Sequence, residues 1–123
     1  YVLIQLPVIW IAGAAGIWLF YIQHQFENVY WARAKQWNYA ASAFKGASYY
    51  RLPRVLQWFS GNIGFHHIHH LSPLVPNYAL EKAYLSDAMM QQSPTLDIRQ
   101  SLGCVRLALY DEAHTKMVGF RQA

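Results

Sequence analysis

Charge is scarce in this sequence, and at its start it is missing. Tyr1 to Phe26 contains no Asp, Glu, Lys or Arg, and the first charged residue is Glu27. Over all 123 residues 13% are charged, against about 25% in an ordinary soluble domain. That shortage argues against a chain whose whole surface meets water. Cysteine is nearly absent as well. Cys104 stands alone, so neither an intrachain disulfide framework nor a thiolate cluster is available, and the residue reads as a small apolar side chain to be buried. Acidic residues number six against ten basic ones, and no nucleic-acid motif accompanies the net charge of +4.

What is present begins with the uncharged run itself. Tyr1 to Ile22 as a helix would be roughly 33 Å long at about 1.5 Å per residue, enough to cross a hydrocarbon core of about 30 Å. The alternative, a core helix of a soluble protein, suits that length poorly. The run has neither the basic flank nor the small-residue cleavage site of a signal peptide. Pro7 and the patch Gly13-Ala14-Ala15-Gly16 are tolerated in lipid and would let another helix approach. Opening inside an apolar segment, the chain is expected to be the C-terminal part of a longer protein. All ten basic residues follow the apolar run, so that flank is expected on the cytoplasmic side, with anionic headgroups as its neighbours. The expected fold is all-α: residues 1–22 a transmembrane helix from an integral membrane helical bundle, and residues 23–123 a cytoplasmic, interfacial helical cap that binds metal.

Within the cap, the aromatic-rich stretch His24 to Tyr50 suggests helices lying at headgroup level. Arg51-Leu52-Pro53-Arg54 marks a turn, and Val55 to Phe59 starts a helical segment leading through Gly61 and Gly64 into a histidine run. Pro73 and Pro76 punctuate its exit. Asn77 is a plausible N-cap for a helix to about Gln91, with Leu80, Ala83, Tyr84 and Ala88 on one face. Leu96 to about Ala108 reads as another helix, and Leu107 to Phe120 as a short hairpin around Asp111 to Thr115, or as an extended end.

The histidine run, Phe65-His66-His67-Ile68-His69-His70, holds four of the six histidines. On a helix His66, His69 and His70 occupy positions i, i+3 and i+4 of one face, a spacing that brings imidazoles to a common point. Imidazole suits zinc, copper, iron and nickel. At the cytoplasmic end of a membrane helix, a set of neutral nitrogen ligands suits iron handling oxygen beside an apolar substrate, tuned through hydrogen bonds to the other ring nitrogens.

The segments Trp18-Leu19-Phe20-Tyr21-Ile22-Gln23-His24-Gln25-Phe26-Glu27, Leu52 to Pro73, and Val75-Pro76-Asn77-Tyr78 together closely resemble the C-terminal half of bacterial membrane fatty acid desaturases. The resemblance runs over nearly the whole chain. It implies a non-haem diiron enzyme of the bacterial inner membrane that uses molecular oxygen and two electrons to introduce a double bond into a lipid acyl chain, the methylene pair being chosen by a bent apolar tunnel. His66, His69 and His70 match the family's third histidine box and would be iron ligands, and His24 matches a position that can supply a further one. His67 occupies a variable place in the box and is read as a residue that packs behind the ligands or orients them. Asn62, one helical turn before His66, would hold a metal-bound water or orient a ligand, unless it caps or packs. His114, among Asp111, Glu112 and Lys116, reads as a solvated turn residue. Glu27 is either an acceptor for an imidazole or an interfacial acid. The implied electron donor is a small ferredoxin-like or cytochrome-type protein, with Lys35, Arg51 and Arg54 as candidate contacts.

The departure from the family pattern is that two upstream histidine boxes are absent from this chain. Two irons need more ligands than His24, His66, His69 and His70, so the fragment alone is expected to be inactive and to bind metal weakly at most. Other readings stay open. A related diiron membrane hydroxylase or carotenoid oxygenase would share the histidines, and a non-catalytic membrane protein could use them for structural metal or haem.

Overall fold

The computed structural model describes residues 1–122. Helix α1, Val2–His24, is continuous and apolar, and it is long and apolar enough to cross a membrane. Its side chains from Tyr1 to Ile17 are almost all exposed, and burial sets in at Ile22 and Gln23. The sequence explains this division, because the helix has apolar residues on every face and so no single stripe with which to dock on the remainder of the chain.

The rest of the chain packs into two buried clusters, one of them around the last turns of α1. Ile22, Phe26, Val29, Tyr50, Cys104 and Met117 form one buried cluster, with Cys104 inside it as the sequence suggests. Phe65, Ile68 and Leu80 form a second, flanked by Tyr49, Tyr84 and Met90. The elements that supply them are short: α2 (Tyr39–Lys45), β1 (Tyr49–Tyr50), α3 (Arg54–Phe59), α4 (His66–Leu71), α5 (Leu80–Ser86), β2 (Thr95–Leu96), α6 (Ile98–Cys104), β3 (Leu109–Asp111) and β4 (Lys116–Val118).

The expectation of an all-α fold is corrected in part, since the chain is mostly helical but carries two small sheets. Strands β1 and β2 pair in parallel, Tyr49 with Thr95 and Tyr50 with Leu96. This fastens the segment before α3 to the segment before α6. Strands β3 and β4 form the hairpin expected around Asp111 to Thr115, with Tyr110 opposite Met117.

Three helical stretches also differ from the expected ones. The stretch His24 to Tyr50 is mostly irregular rather than helical. Its backbone groups find partners elsewhere, Tyr30 N–H on the Lys45 carbonyl (2.8 Å) and the Glu27 carbonyl under Met117 N–H (2.7 Å), and only α2 forms, capped by the Asn38 side chain. The helix expected to reach Gln91 ends at Ser86. There the Asp87 carboxylate accepts from Met89 N–H (2.8 Å), a local turn that competes with helix, so Ala88 lies outside α5. Asn77 opens a 3-10 turn, Asn77–Ala79, instead of capping α5. Helix α6 starts after Leu96 because Asp97 and Gln100 form a reciprocal capping box, and it stops at Cys104.

Between α3 and α4 the chain breaks where Gly61 (φ +62°) and Asn62 (φ +59°) both adopt left-handed backbone. Glycine takes that conformation without steric cost and asparagine more readily than other residues. The break swings α4 out of line with α3 and brings the histidine run to the end of α1.

Candidate metal centre

Helix α1 ends in His24 and α4 begins with His66. The His24 Nδ1 lies 2.7 Å from the Phe20 carbonyl. A carbonyl can only accept, so Nδ1 carries the hydrogen and Nε2 presents a lone pair. That Nε2 is 2.9 Å from His70 Nε2, which in turn is 3.0 Å from His66 Nε2. The three rings stand nearly perpendicular to one another, at 81° to 85°. One ligand nitrogen from each falls within 4.8 Å of the others.

Neutral imidazoles cannot satisfy this arrangement among themselves. If His70 Nε2 carries hydrogen it can donate to His24, but then it has no lone pair to offer His66. If it carries none, two lone pairs face each other across 2.9 Å. Protonation is opposed too. Burial, and then the neighbouring histidines, lower the His66 pKa from 6.5 to about 3, and the same causes lower that of His70. A cation accepting all three lone pairs removes the conflict. Two of the spacings, 2.9 and 3.0 Å, suit it, since neighbouring ligands of an octahedral ion at about 2.1 Å lie about 3 Å apart.

The other residues singled out in the sequence are placed as follows. His69 is exposed, with its ring 5.8 Å from that of His66 and stacked against it. It is outside the three-nitrogen group, whose third member comes from α1. His67 faces the opposite way and is fully buried. Its Nε2 is 2.9 Å from the Met90 carbonyl, and Tyr49 and Tyr84 meet it edge-on. Asn62 donates from Nδ2 to the Asn77 carbonyl (3.0 Å), tying the break before α4 to the turn after it. Among the described residues no imidazole bonds the Glu27 carboxylate. His114 sits in the hairpin turn, 2.7 Å from Asp111.

Two positioning residues are not evident from the histidine pattern. Gln23 is buried beside His24 and donates from Nε2 to the Ile63 carbonyl (2.7 Å), linking α1 to the turn that leads into His66. A polar amide in an apolar helix, next to a histidine, was the available signal. Tyr39 donates from its hydroxyl to the carbonyls of His70 (2.7 Å) and Leu71 (3.0 Å), holding the end of α4. No local pattern announces a contact across 31 residues.

The family model for fatty acid desaturases matches residues 1–100. The chain belongs to the fatty acid desaturase family. It is 45% identical over 121 residues to the fatty acid desaturase of Bacillus subtilis strain 168, a match that covers 98% of this chain and 34% of that relative. The chain therefore spans about one third of the length of the curated desaturase it matches. No solved structure matches it.

Two expected outcomes follow from this geometry. Gln23→Leu keeps the volume of the side chain but leaves the Ile63 carbonyl without its donor, and should destabilise the desaturase by about 1–3 kcal/mol, read as a lower unfolding midpoint in detergent. His67, with its pKa lowered by burial from 6.5 to about 4, binds its proton more weakly folded than unfolded. Its contribution to stability is complete above pH 6.5 and is lost as pH falls toward 4. Unfolding midpoints measured across that window should decline in the parent and decline less steeply in His67→Gln.

Proposed function

We propose that this chain is the C-terminal part of a membrane-bound enzyme that desaturates lipid acyl chains with molecular oxygen at a histidine-ligated diiron centre. The observation that carries this reading is the convergence of His24, on an apolar helix of membrane-spanning length, with His66 and His70 of the histidine run. On this reading those three imidazoles hold iron through Nε2. His69, on the adjoining part of the same helix, serves the second iron together with histidines supplied outside this chain. The bound iron, with oxygen and two electrons, would supply the oxidising chemistry that removes hydrogens from two adjacent methylenes.

The remaining work belongs to the chain's own side chains. The Phe20 carbonyl holds the His24 ring by its Nδ1 hydrogen, so that Nε2 stays a ligand. Burial keeps His66 unprotonated and therefore available for coordination at any physiological pH. Gln23 and Tyr39 set the two helices that carry the ligands. The site faces the cytoplasmic side, and electrons arrive from a ferredoxin-like or cytochrome-type donor at a basic, exposed surface. Lys35, Arg51 and Arg54 are each exposed and are candidates for that contact. By itself the chain offers too few ligands for two irons and is inactive.

The test is gas chromatography of acyl chains from aerobically grown cells expressing the full-length protein or its His69→Ala form. New unsaturated chains in the first that vanish in the second support desaturation. Hydroxylated acyl chains or altered carotenoids from the parent would replace this reading with a related oxygenase.

A further inference from the structure

Tyr21, near the end of α1, donates from its hydroxyl to the Leu107 carbonyl at 2.7 Å, which places the end of α6 beside the last turns of the membrane helix. Lower on α1, Ala15, Trp18 and Leu19 form one wall of an apolar groove of about 370 Å³, and Leu56 and Phe59 of α3 with Ile98 of α6 form the other. These α1 residues lie about 8–14 Å below His24 at about 1.5 Å per residue. A bilayer core takes up about 30 Å, and α1, with 23 residues, exceeds that by only about 5 Å. If α1 spans the bilayer, α3 and α6 therefore sit at the boundary between acyl chains and headgroups, not above it in water.

Their surfaces match that depth. On α3, Val55, Trp58 and Phe59 are 66%, 75% and 74% exposed, and they fall on one side of the helix. On α6 and its C-cap, Ile98, Leu102 and Val105 are exposed at intervals of four and three, a single stripe. Arg51, Arg54, Arg99 and Arg106 flank these stripes and are all exposed. Neither helix contains an acidic residue, and Asp97 is committed to capping α6. Apolar stripes edged by arginine, on helices whose backbones are internally bonded, are the composition of an interfacial helix on an anionic membrane.

We propose that α3 and α6 form a membrane-facing foot beside α1, in which Trp58, Phe59, Leu102 and Val105 enter the acyl boundary of the bilayer and the arginines contact lipid phosphates. Arg51 and Arg54 then belong to lipid, and donor docking falls to Lys35 and its surroundings. The foot does not depend on iron or on desaturation, so it stands or falls separately from the proposed activity.

The test places a nitroxide label on Trp58→Cys or Leu102→Cys in the full-length protein, with Cys104 and any other native cysteine replaced by alanine, in phosphatidylcholine vesicles with and without phosphatidylglycerol. Leu85→Cys, exposed on α5, is the aqueous control, and Val55→Cys replaces the α3 label should Trp58→Cys not accumulate. The foot predicts severalfold stronger relaxation by oxygen than by a water-soluble nickel chelate at 58 and 102, the reverse at 85, and deeper labels when phosphatidylglycerol is present. Nickel access at 58 and 102 would put these helices in water. Access by neither reagent would mean that protein covers them. Either result overturns the proposal, and depth that ignores phosphatidylglycerol overturns the phosphate contacts.

Discussion

On the proposed diiron reading, His70→Ala in the full-length protein should remove one of two irons and lower desaturation by more than about 100-fold, while leaving the fold intact. His70 stands between the other two histidines, its Nε2 2.9 Å from His24 and 3.0 Å from His66, so its loss separates the ligand on the membrane helix from the ligand on the histidine run. Because His70 is only partly buried and lies at the surface, truncation opens no internal cavity, and circular dichroism and membrane insertion should match the parent. Metal content by mass spectrometry is the deciding measurement. Unchanged iron in a well-folded His70→Ala protein would take the three-histidine group out of the metal site. His69→Ala offers the contrast: it should spare the iron at His24 and His66 and weaken the second one. Loss of both irons in each variant would instead indicate that the two metals assemble only together.

Gly64→Ala should be the most damaging single methyl group in this chain. A Cβ at Gly64 would run into the Tyr50 carbonyl and come within 2.5 Å of the Gln57 side-chain oxygen. Gln57 could turn aside, but Tyr50 cannot, because β1 is held by its pairing with β2. The turn Ile63–Phe65 must therefore move, and His66 follows it directly. A cost of about 2–4 kcal/mol is expected, together with loss of iron. Gly103→Ala is the control, since a Cβ there meets nothing within 4 Å and alanine favours helix α6 by about 0.5–1 kcal/mol. The pair is read by unfolding midpoint and iron content. Equal stability of the two variants would show that β1 and the turn before the histidines are more yielding than their packing indicates.

These effects meet at the junction between one long helix and a set of short ones. Helix α1 contributes a single ligand, His24, and its height relative to α4 is set by Gln23 on the Ile63 carbonyl and by the Ser48 amide on the Gln23 carbonyl (3.0 Å). Buried hydrogen bonds in such a place favour one register of the two helices, because sliding either would strand a desolvated amide or carbonyl.

Much of this was legible in the residues themselves. An uncharged apolar run of this length from Tyr1 favours a long helix, since only a helix satisfies the backbone amides within a single segment without water. The spacing of His66 and His70 puts both on one face of α4 by helical geometry alone, and a hairpin around Asp111 to Thr115, one of two readings of that segment, is the one that forms. Composition likewise marked Cys104 for the interior. What only the tertiary structure decided was which imidazoles meet. Spacing grouped His69 with its neighbours, yet the third nitrogen beside His66 and His70 comes from His24, 46 residues from His70, because the left-handed pair Gly61 and Asn62 turns α4 back onto α1. The burial of His67 against Met90, the parallel pairing of β1 with β2 and the early end of α5 were hidden for the same reason. Each depends on a partner distant in sequence or on a side chain competing with the backbone, and local periodicity carries no record of either.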